Sequence, residues 1–338
     1  MGVSRPVAPP TAVLAVDAGN SKTDVALIAA DGTVLGTGRS GGFQPPRTGV
    51  EAAVDVLGQA VAEAVEAAGL SGARPGLPYA RRVSACLANA DLPVEERQLA
   101  AAIGARGWGT ATEVRNDTFA ILRAGLAGSA EPRGVAVVCG AGINCVGMLP
   151  DGRTARFPAV GQMSGDWGGG GSLAGEALWW AARDEDGRGG PTALTAALPG
   201  HFGLGSMYEL IEALHLGALA MRRTHELVPV LFAVAAAGDP VASAIVERQA
   251  DEVVALASVA LGRLGLLEEE APVVLGGSVL AARHPQLDGR IRERMAERAP
   301  YARVSVVAAP PVLGAALLGL DALGSPPEAQ EKLRAHFG

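Results

Sequence analysis

Lysine is almost missing from this chain of 338 residues: of its 28 basic residues only Lys22 and Lys332 are lysines, and the rest are arginines. Ala, Gly and Val crowd the remaining sequence, the skew of a GC-rich coding sequence. A lysine kept against that bias marks a position that wants a compact point charge and not a planar fork, which singles out Lys22. A basic excess is lacking too. The 35 acidic residues leave a net charge of −7, which excludes a nucleic-acid-binding domain. Cysteine is scarce, and Cys86, Cys139 and Cys145 cannot all pair and show no CxxC or other metal-type spacing, so a reducing compartment is expected. Long apolar runs are absent. The longest, Val228 to Gly238, contains Pro229 and is too short to cross a bilayer. Residues 1–10 hold no signal-peptide core, and Pro6 stands where a myristoylation signal needs Ser or Thr; they read as a loose tail. A soluble cytoplasmic protein with neither membrane nor nucleic acid as partner is expected. The 49% of hydrophobic residues excludes a disordered chain, and the length implies about two domains.

One local pattern occurs twice. Residues 13–28 form two apolar runs broken by a small polar turn, and Asp31-Gly32 then leads into Thr33-Val34-Leu35. Residues 135–149 follow the same grammar and reach a second Asp-Gly pair at Asp151-Gly152. Each copy predicts a hairpin feeding a third strand, and together they predict a duplicated unit. Between them the pattern predicts a helix over 49–68, a loop at Gly72, Pro75, Gly76 and Pro78, a strand over 82–88 and a helix over 93–104. Helices over 206–223 and 239–265 and a buried run over 272–280 follow. Strands alternating with helices in both halves predict an α/β fold of two related lobes.

The two small turns are the candidates for chemistry, because residues with little or no side chain let backbone N–H groups approach an anion. Neither is a common nucleotide motif. Ser21 precedes Lys22 where a P-loop needs Gly, and Gly140-Ala141-Gly142 runs on into strand where a dinucleotide fingerprint needs a helix. The segment DAGNSKTDVAL resembles the first phosphate motif of the BadF/BadG/BcrA/BcrD-type ATPases and N-acetylglucosamine kinases. CGAGINCVG resembles their second phosphate motif, VLGGSVL their adenosine motif, and residues 314–320 their closing helix. The resemblance covers residues 12 to 322. It implies an actin-like, ribonuclease H-like duplicated ATPase fold, with a small lobe of 12–117 plus about 314–338 and a large lobe of 118–313 around a nucleotide cleft that closes on substrate.

The same resemblance implies ATP and Mg²⁺ as cofactors. ATP is expected at Gly19, Asn20, Ser21, Lys22 and Thr23, at Gly140, Ala141 and Gly142, and at Gly276, Gly277 and Ser278. Asp17 and Asp117 are the expected metal ligands. Asp117 precedes the apolar run Phe119-Ala120-Ile121-Leu122, so a helix N-cap is its plain explanation, shared with Asn116. The family places its catalytic base at this Asn-Asp pair, and the two roles are compatible. Gly168-Gly169-Gly170-Gly171 before a helix carry an entropic cost that points to a ligand near the backbone. The expected sugar residues are Asn116, Asp117, Asn144, Asp166, Trp167 and Glu176. The family's Gly-Asp-Glu motif has Trp167 in place of Glu here, as in the actinobacterial glucosamine kinases. A carboxylate for an ammonium group, with a bulky indole to exclude an acetyl group, implies phosphorylation of the 6-hydroxyl of glucosamine. N-acetylglucosamine is the alternative substrate, and an ATPase activator or scaffold without a sugar substrate is the alternative from another class. A homodimer acting on a small amino sugar is expected.

Overall fold

The computed structural model describes residues 11–71, 77–126 and 131–338, so the expected N-terminal tail and Gly72, Pro75 and Gly76 of the expected loop lie outside the described residues. The chain divides into two compact units: the described residues up to Gly134 with Leu149–Gly152 and Val307–Gly338, and Val135–Met148 with Arg153–Val306.

Unit 1 begins with β1 (Thr11–Ala18), β2 (Thr23–Ile28) and β3 (Val34–Ser40), an antiparallel meander. It continues through α1 (Pro45–Thr48), α2 (Val50–Ala67), β4 (Ala80–Leu87), α3 (Pro93–Ala105), β5 (Gly109–Asn116) and α4 (Thr118–Gly125). β4 and β5 run parallel to β1, and the sheet order is β3-β2-β1-β4-β5. All eight residues of β1 are buried, because both faces of the strand are covered. Leu14, Val16 and Ala18 join residues of α2 and α3 in one core cluster, while Val13 on the other face meets Gly319 of α12 (Pro311–Ala322).

Unit 2 repeats the plan with β6 (Gly134–Cys139), β7 (Ile143–Met148) and β8 (Thr154–Arg156). Then come α5 (Gly169–Glu185), α6 (Leu194–His201), α7 (Met207–His215), α8 (Leu227–Ala236), α9 (Pro240–Leu264), β9 (Ala271–Gly276), α10 (Ser278–Ala281), α11 (Pro285–Arg298) and β10 (Ala302–Val306). Its order, β10-β9-β6-β7-β8, is that of the first sheet read from the other edge. The long α9 starts where the Asp239 carboxylate accepts from the Ala242 N–H at 2.8 Å and stops at Gly265, which has φ of 74°. No single helix among the described residues is long and apolar enough to cross a membrane.

Two expectations are corrected. The predicted helix over 206–223 ends at His215, because Gly217 takes φ of 78° and turns the chain before a 3₁₀ segment at Met221–Glu226. Residues 118–125, expected in the large lobe, form α4 of unit 1. The reason is a buried ion pair: Arg123, with no exposed surface, binds Asp321 of α12 through Nε at 2.7 Å and Nη2 at 3.1 Å. Gln330 of α13 (Pro327–Phe337) accepts from the same guanidinium, and Arg334 reaches the Leu126 carbonyl at 2.9 Å. Breaking such a pair strands a buried charge.

α12 rests on α4 at Gly314, where an added Cβ would lie 1.8 Å from the Ala120 carbonyl oxygen. Gly314→Ala should therefore destabilise the protein by about 1–3 kcal/mol through overpacking. Gly289→Ala, on an open face of α11, should be neutral or stabilising by up to about 1 kcal/mol. Thermal unfolding of the two variants beside the parent checks the contrast.

Candidate active site

In unit 1 the site is built on the carboxyl edge of the parallel strands. The register pairs Asp17 of β1 with Cys86 of β4, Cys86 with Arg115 of β5, and Leu87 with Asn116, so Asp17 and Asp117 emerge at the same edge. Burial pushes Asp17 up to about 8, helped by the neighbouring Asp117 and Asp24 carboxylates and opposed by Lys22. Burial also pushes Asp117 up to about 6, against the pull of the N–H groups at the start of α4. Asp117 occupies the N-cap position, yet its side chain makes no cap hydrogen bond. Asn116 does that work: its Oδ1 accepts from the Thr118 N–H at 3.0 Å, while its Nδ2 donates to Asp91 at 2.8 Å. Asn116 is 2% exposed and braces the start of α4 through both ends of its amide. The Asp117 carboxylate is thereby spared the cap, and the Thr118 hydroxyl and nearby N–H groups pull on it.

The turn between β1 and β2 is closed by the Gly19 N–H to the Lys22 carbonyl at 2.9 Å, and Asn20, Ser21 and Lys22 are exposed upon it. Thr23 is fully buried, and its hydroxyl donates to the Gly41 carbonyl at 2.9 Å, so it braces the turn from behind. Asp24, passed over in the sequence, holds Lys22 at 2.7 Å and Arg39 of β3 at 2.6 Å. These two cations hold its carboxyl below the usual range against burial, the largest influence, which acts upward. Asn89, another residue not singled out, donates to the Asn20 side chain at 3.0 Å and to the Phe43 carbonyl at 3.1 Å. It does so from φ of 60°, a conformation Asn tolerates better than most residues and one no sequence period reveals.

In unit 2 the turn after β6 is closed by the Gly140 N–H to the Gly142 carbonyl at 3.0 Å, leaving Ala141 and Gly142 exposed. The glycines before α5 serve this turn. Gly170 and Gly171 donate to the carbonyls of Gly140 and Ala141, both at 2.8 Å, and Gly169 donates to the buried Gln249 of α9 at 2.9 Å. A Cβ on Gly169, which has φ of 75°, would sit 2.2 Å from the Gly142 carbonyl oxygen. The entropic cost of this run thus has a packing return: its glycines let a helix start against the turn. Gly277 is similar, with φ of 83° and space for a Cβ only 2.3 Å from the Cys139 carbonyl oxygen. That contact brings Gly276-Gly277-Ser278 beside the end of β6, with Ser278 exposed.

Two of the expected sugar residues of unit 2, Trp167 and Glu176, meet at one cation. Trp167 is 9% exposed, and the Arg248 guanidinium lies over its ring at 4.0 Å, so the indole is a packed wall and not a free obstacle. Glu176 accepts from the Trp180 Nε1–H at 3.2 Å and faces Arg248 at 3.8 Å. Trp167 and Glu176 line a depression of about 530 Å³ together with Gln162, Gly171, Ser172, Gly175 and Trp179. Asp166 precedes Trp167 and accepts from the Ser164 hydroxyl. Asn144 is half-buried, and its side chain accepts from the neighbouring Cys145 N–H at 2.7 Å.

A divalent cation suits the Asp17–Asp117 pair, where hard oxygen donors and buried negative charge concentrate. Among the described residues no three His, Cys, Asp or Glu side chains form a metal cage. One or two carboxylates completed by water and phosphate is the usual manner of holding Mg²⁺.

Two five-stranded units of one topology, each with a small polar turn after its first strand, define an actin-like ATPase fold. A model of the BadF/BadG/BcrA/BcrD ATPase family matches residues 14–319, and the chain belongs to that family. An N-acetyl-D-glucosamine kinase of Dictyostelium discoideum is 28% identical over 210 residues, which cover 62% of this chain and 65% of that protein. The match thus spans just under two thirds of the relative's length. A Chromobacterium violaceum structure, provisionally named N-acetylglucosamine kinase, is 24% identical with a TM-score of 0.68, covering 92% of this chain and 99% of that one. The ROK family glucokinase of Streptomyces griseus, in complex with glucose and AMPPNP, is 19% identical with a TM-score of 0.55 over 92% and 98% of the two chains. Both likenesses establish the fold.

The raised Asp17 carries a consequence for stability. Folded, it keeps its proton up to about pH 8, whereas its ordinary value is 3.8. Between those values the folded form binds more protons than the unfolded form, so stability falls as pH rises. Asp17→Asn should abolish this contribution. In chelator, the variant should gain on the parent between pH 5 and pH 8 by at least about 1 kcal/mol, because each tenfold difference in proton affinity between the folded and unfolded forms is worth about 1.4 kcal/mol. Urea midpoints at the two pH values read the difference.

Proposed function

We propose that this protein is an ATP-dependent kinase that transfers a phosphoryl group to the 6-hydroxyl of an amino sugar. The observation that carries the reading is the place of Asp117: it stands half-buried at a helix start whose capping is done by Asn116, beside a second carboxylate and raised to about 6. A general base works best with its pKa near the operating pH. Asp117 accepts the proton of the sugar hydroxyl as that oxygen bonds to the γ-phosphorus and the bond to the β,γ-bridging oxygen breaks, leaving sugar phosphate and ADP. In unit 1, Lys22, aimed by Asp24, and the exposed N–H groups of its turn suit phosphate, and the Gly140–Gly142 turn of unit 2 offers backbone N–H groups of the same kind. Gly277 and Ser278 serve the nucleoside end. Mg²⁺ on Asp17 and Asp117, when bound, neutralises charge on the phosphates.

Two amino sugars compete as substrate. The Asp166-Trp167 sequence supports glucosamine. Against it, Glu176, one of the carboxylates offered to the ammonium group, already faces the Arg248 cation. The name of the Dictyostelium relative also supports N-acetylglucosamine, which we take as the substrate. An iron–sulfur ATPase activator is disfavoured because it needs exposed cysteine ligands, and Cys86, Cys139 and Cys145 are all buried with their thiols pushed upward by that burial.

A coupled assay of ADP release with N-acetylglucosamine, glucosamine, glucose and no sugar tests the reading. Stimulation by an amino sugar is expected, and ATP turnover indifferent to every sugar would leave an ATPase or scaffold. Asp117→Asn should lower kcat by about 10²–10⁴ with the melting temperature held or raised, since Asn116 keeps the cap and a disfavoured carboxylate charge is removed. A variant retaining most of its kcat would reduce Asp117 to a structural residue.

A further inference from the structure

Arg248 was not among the residues the sequence singled out, yet it is the cation on which Trp167 and Glu176 converge. Its guanidinium lies over the Trp167 ring at 4.0 Å and faces Glu176 at 3.8 Å, too far for a hydrogen bond. Glu252, one turn further along α9, lies within electrostatic reach of both Arg248 and Asp166. Among the described residues Arg248 makes no hydrogen bond, so its donor fork is held in place by stacking and charge while its N–H groups stay unspent. The side chain is about half exposed. It lines a second, apolar depression of about 350 Å³ with Glu176, Trp180, Pro240, Val241 and Ile245, so that Glu176 walls both depressions. The residue is fixed from behind, because its neighbour Gln249 is fully buried, binding the Gly169 N–H at 2.9 Å and the Cys139 sulfur at 3.5 Å.

A preorganised guanidinium with free donors beside aromatic and aliphatic walls fits a neutral acceptor attached to a small apolar group. An N-acyl substituent has that form: its carbonyl accepts from the fork and its methyl meets the apolar wall. A free ammonium brings a like charge to the same place and has no lone pair to offer. We propose, resting on the kinase reading above, that Arg248 is the specificity-determining residue of this protein, selecting N-acylated over free amino sugars by donating to the acyl carbonyl.

The test compares kcat/KM for N-acetylglucosamine and glucosamine in the parent, Arg248→Met and Arg248→Lys. Methionine keeps a stem on Trp167 but removes donors and charge. N-acetylglucosamine should lose about tenfold or more, mostly through KM, the scale of one or two charge-assisted hydrogen bonds. Glucosamine should hold or improve, so the ratio moves by at least about tenfold. Lysine keeps the charge without the fork and should recover part of the preference. A parallel fall for both sugars, or a ratio unchanged within about twofold, would overturn the proposal and mark Arg248 as structural. A parent that prefers glucosamine and keeps that preference in Arg248→Met would overturn it too while leaving the kinase reading intact. A parent that phosphorylates neither sugar would bring down both.

Discussion

Placing a buried carboxylate, Asp17, beside a half-buried one, Asp117, is the constraint around which unit 1 is organised. The parallel register of β1, β4 and β5 carries Asp17 and Asp117 to one edge, and burial there raises both. Like charges in such a place are costly unless a proton or cation accompanies them. The surroundings answer this cost. Lys22 lowers Asp17, the N–H groups of α4 lower Asp117, and Asn116 takes over the capping that would otherwise occupy the Asp117 carboxylate. The arrangement stores a demand for positive charge, which is the condition for holding a metal nucleotide.

The two units share a topology and divide the chemistry. Unit 1 answers phosphate with charge: its turn carries Lys22, and Asp24 fastens that lysine together with Arg39. Unit 2 has no counterpart to this lysine in residues 140–142 and relies on shape. There the carbonyls of the turn are taken by the first N–H groups of α5, which stiffens the loop and leaves Ala141 and Gly142 facing outward. The same strand order thus carries a charged turn in one unit and a stiffened, uncharged turn in the other.

α9 connects the rigid half to substrate choice. Gln249 anchors the start of α5, and the residue before it, Arg248, lies against Trp167 and Glu176. The side chains that hold the phosphate turn and those that face the depression are therefore neighbours on one helix. A change in either is felt by the other, because a close-packed interior transmits displacement.

Apolar periodicity, the Asp-Gly turns and the capping residues determined a good deal by themselves. The duplicated strand pattern, the helices at Val50–Ala67, Pro93–Ala105 and Pro240–Leu264, and the small turns at 19–22 and 140–142 were all legible, because each rests on contacts a few residues apart. The helix over 206–223 was misjudged where a single glycine at positive φ outweighed the pattern. What tertiary structure alone decided depends on partners far along the chain. The glycines at 168–171 are small because of a turn well before them in the chain, at 140–142, and α4 belongs to unit 1 because Arg123 meets Asp321. The bracing done by Thr23 and Asn116 came from partners the sequence does not show, Gly41 for one and Asp91 and Thr118 for the other. Asp24, Asn89 and Arg248 went unnoticed since a polar residue's role is set by what it faces, and facing is a property of packing. Sequence spacing encodes the backbone's local periods, whereas the pairing of one polar atom with another is settled only when the sheets and helices close upon each other.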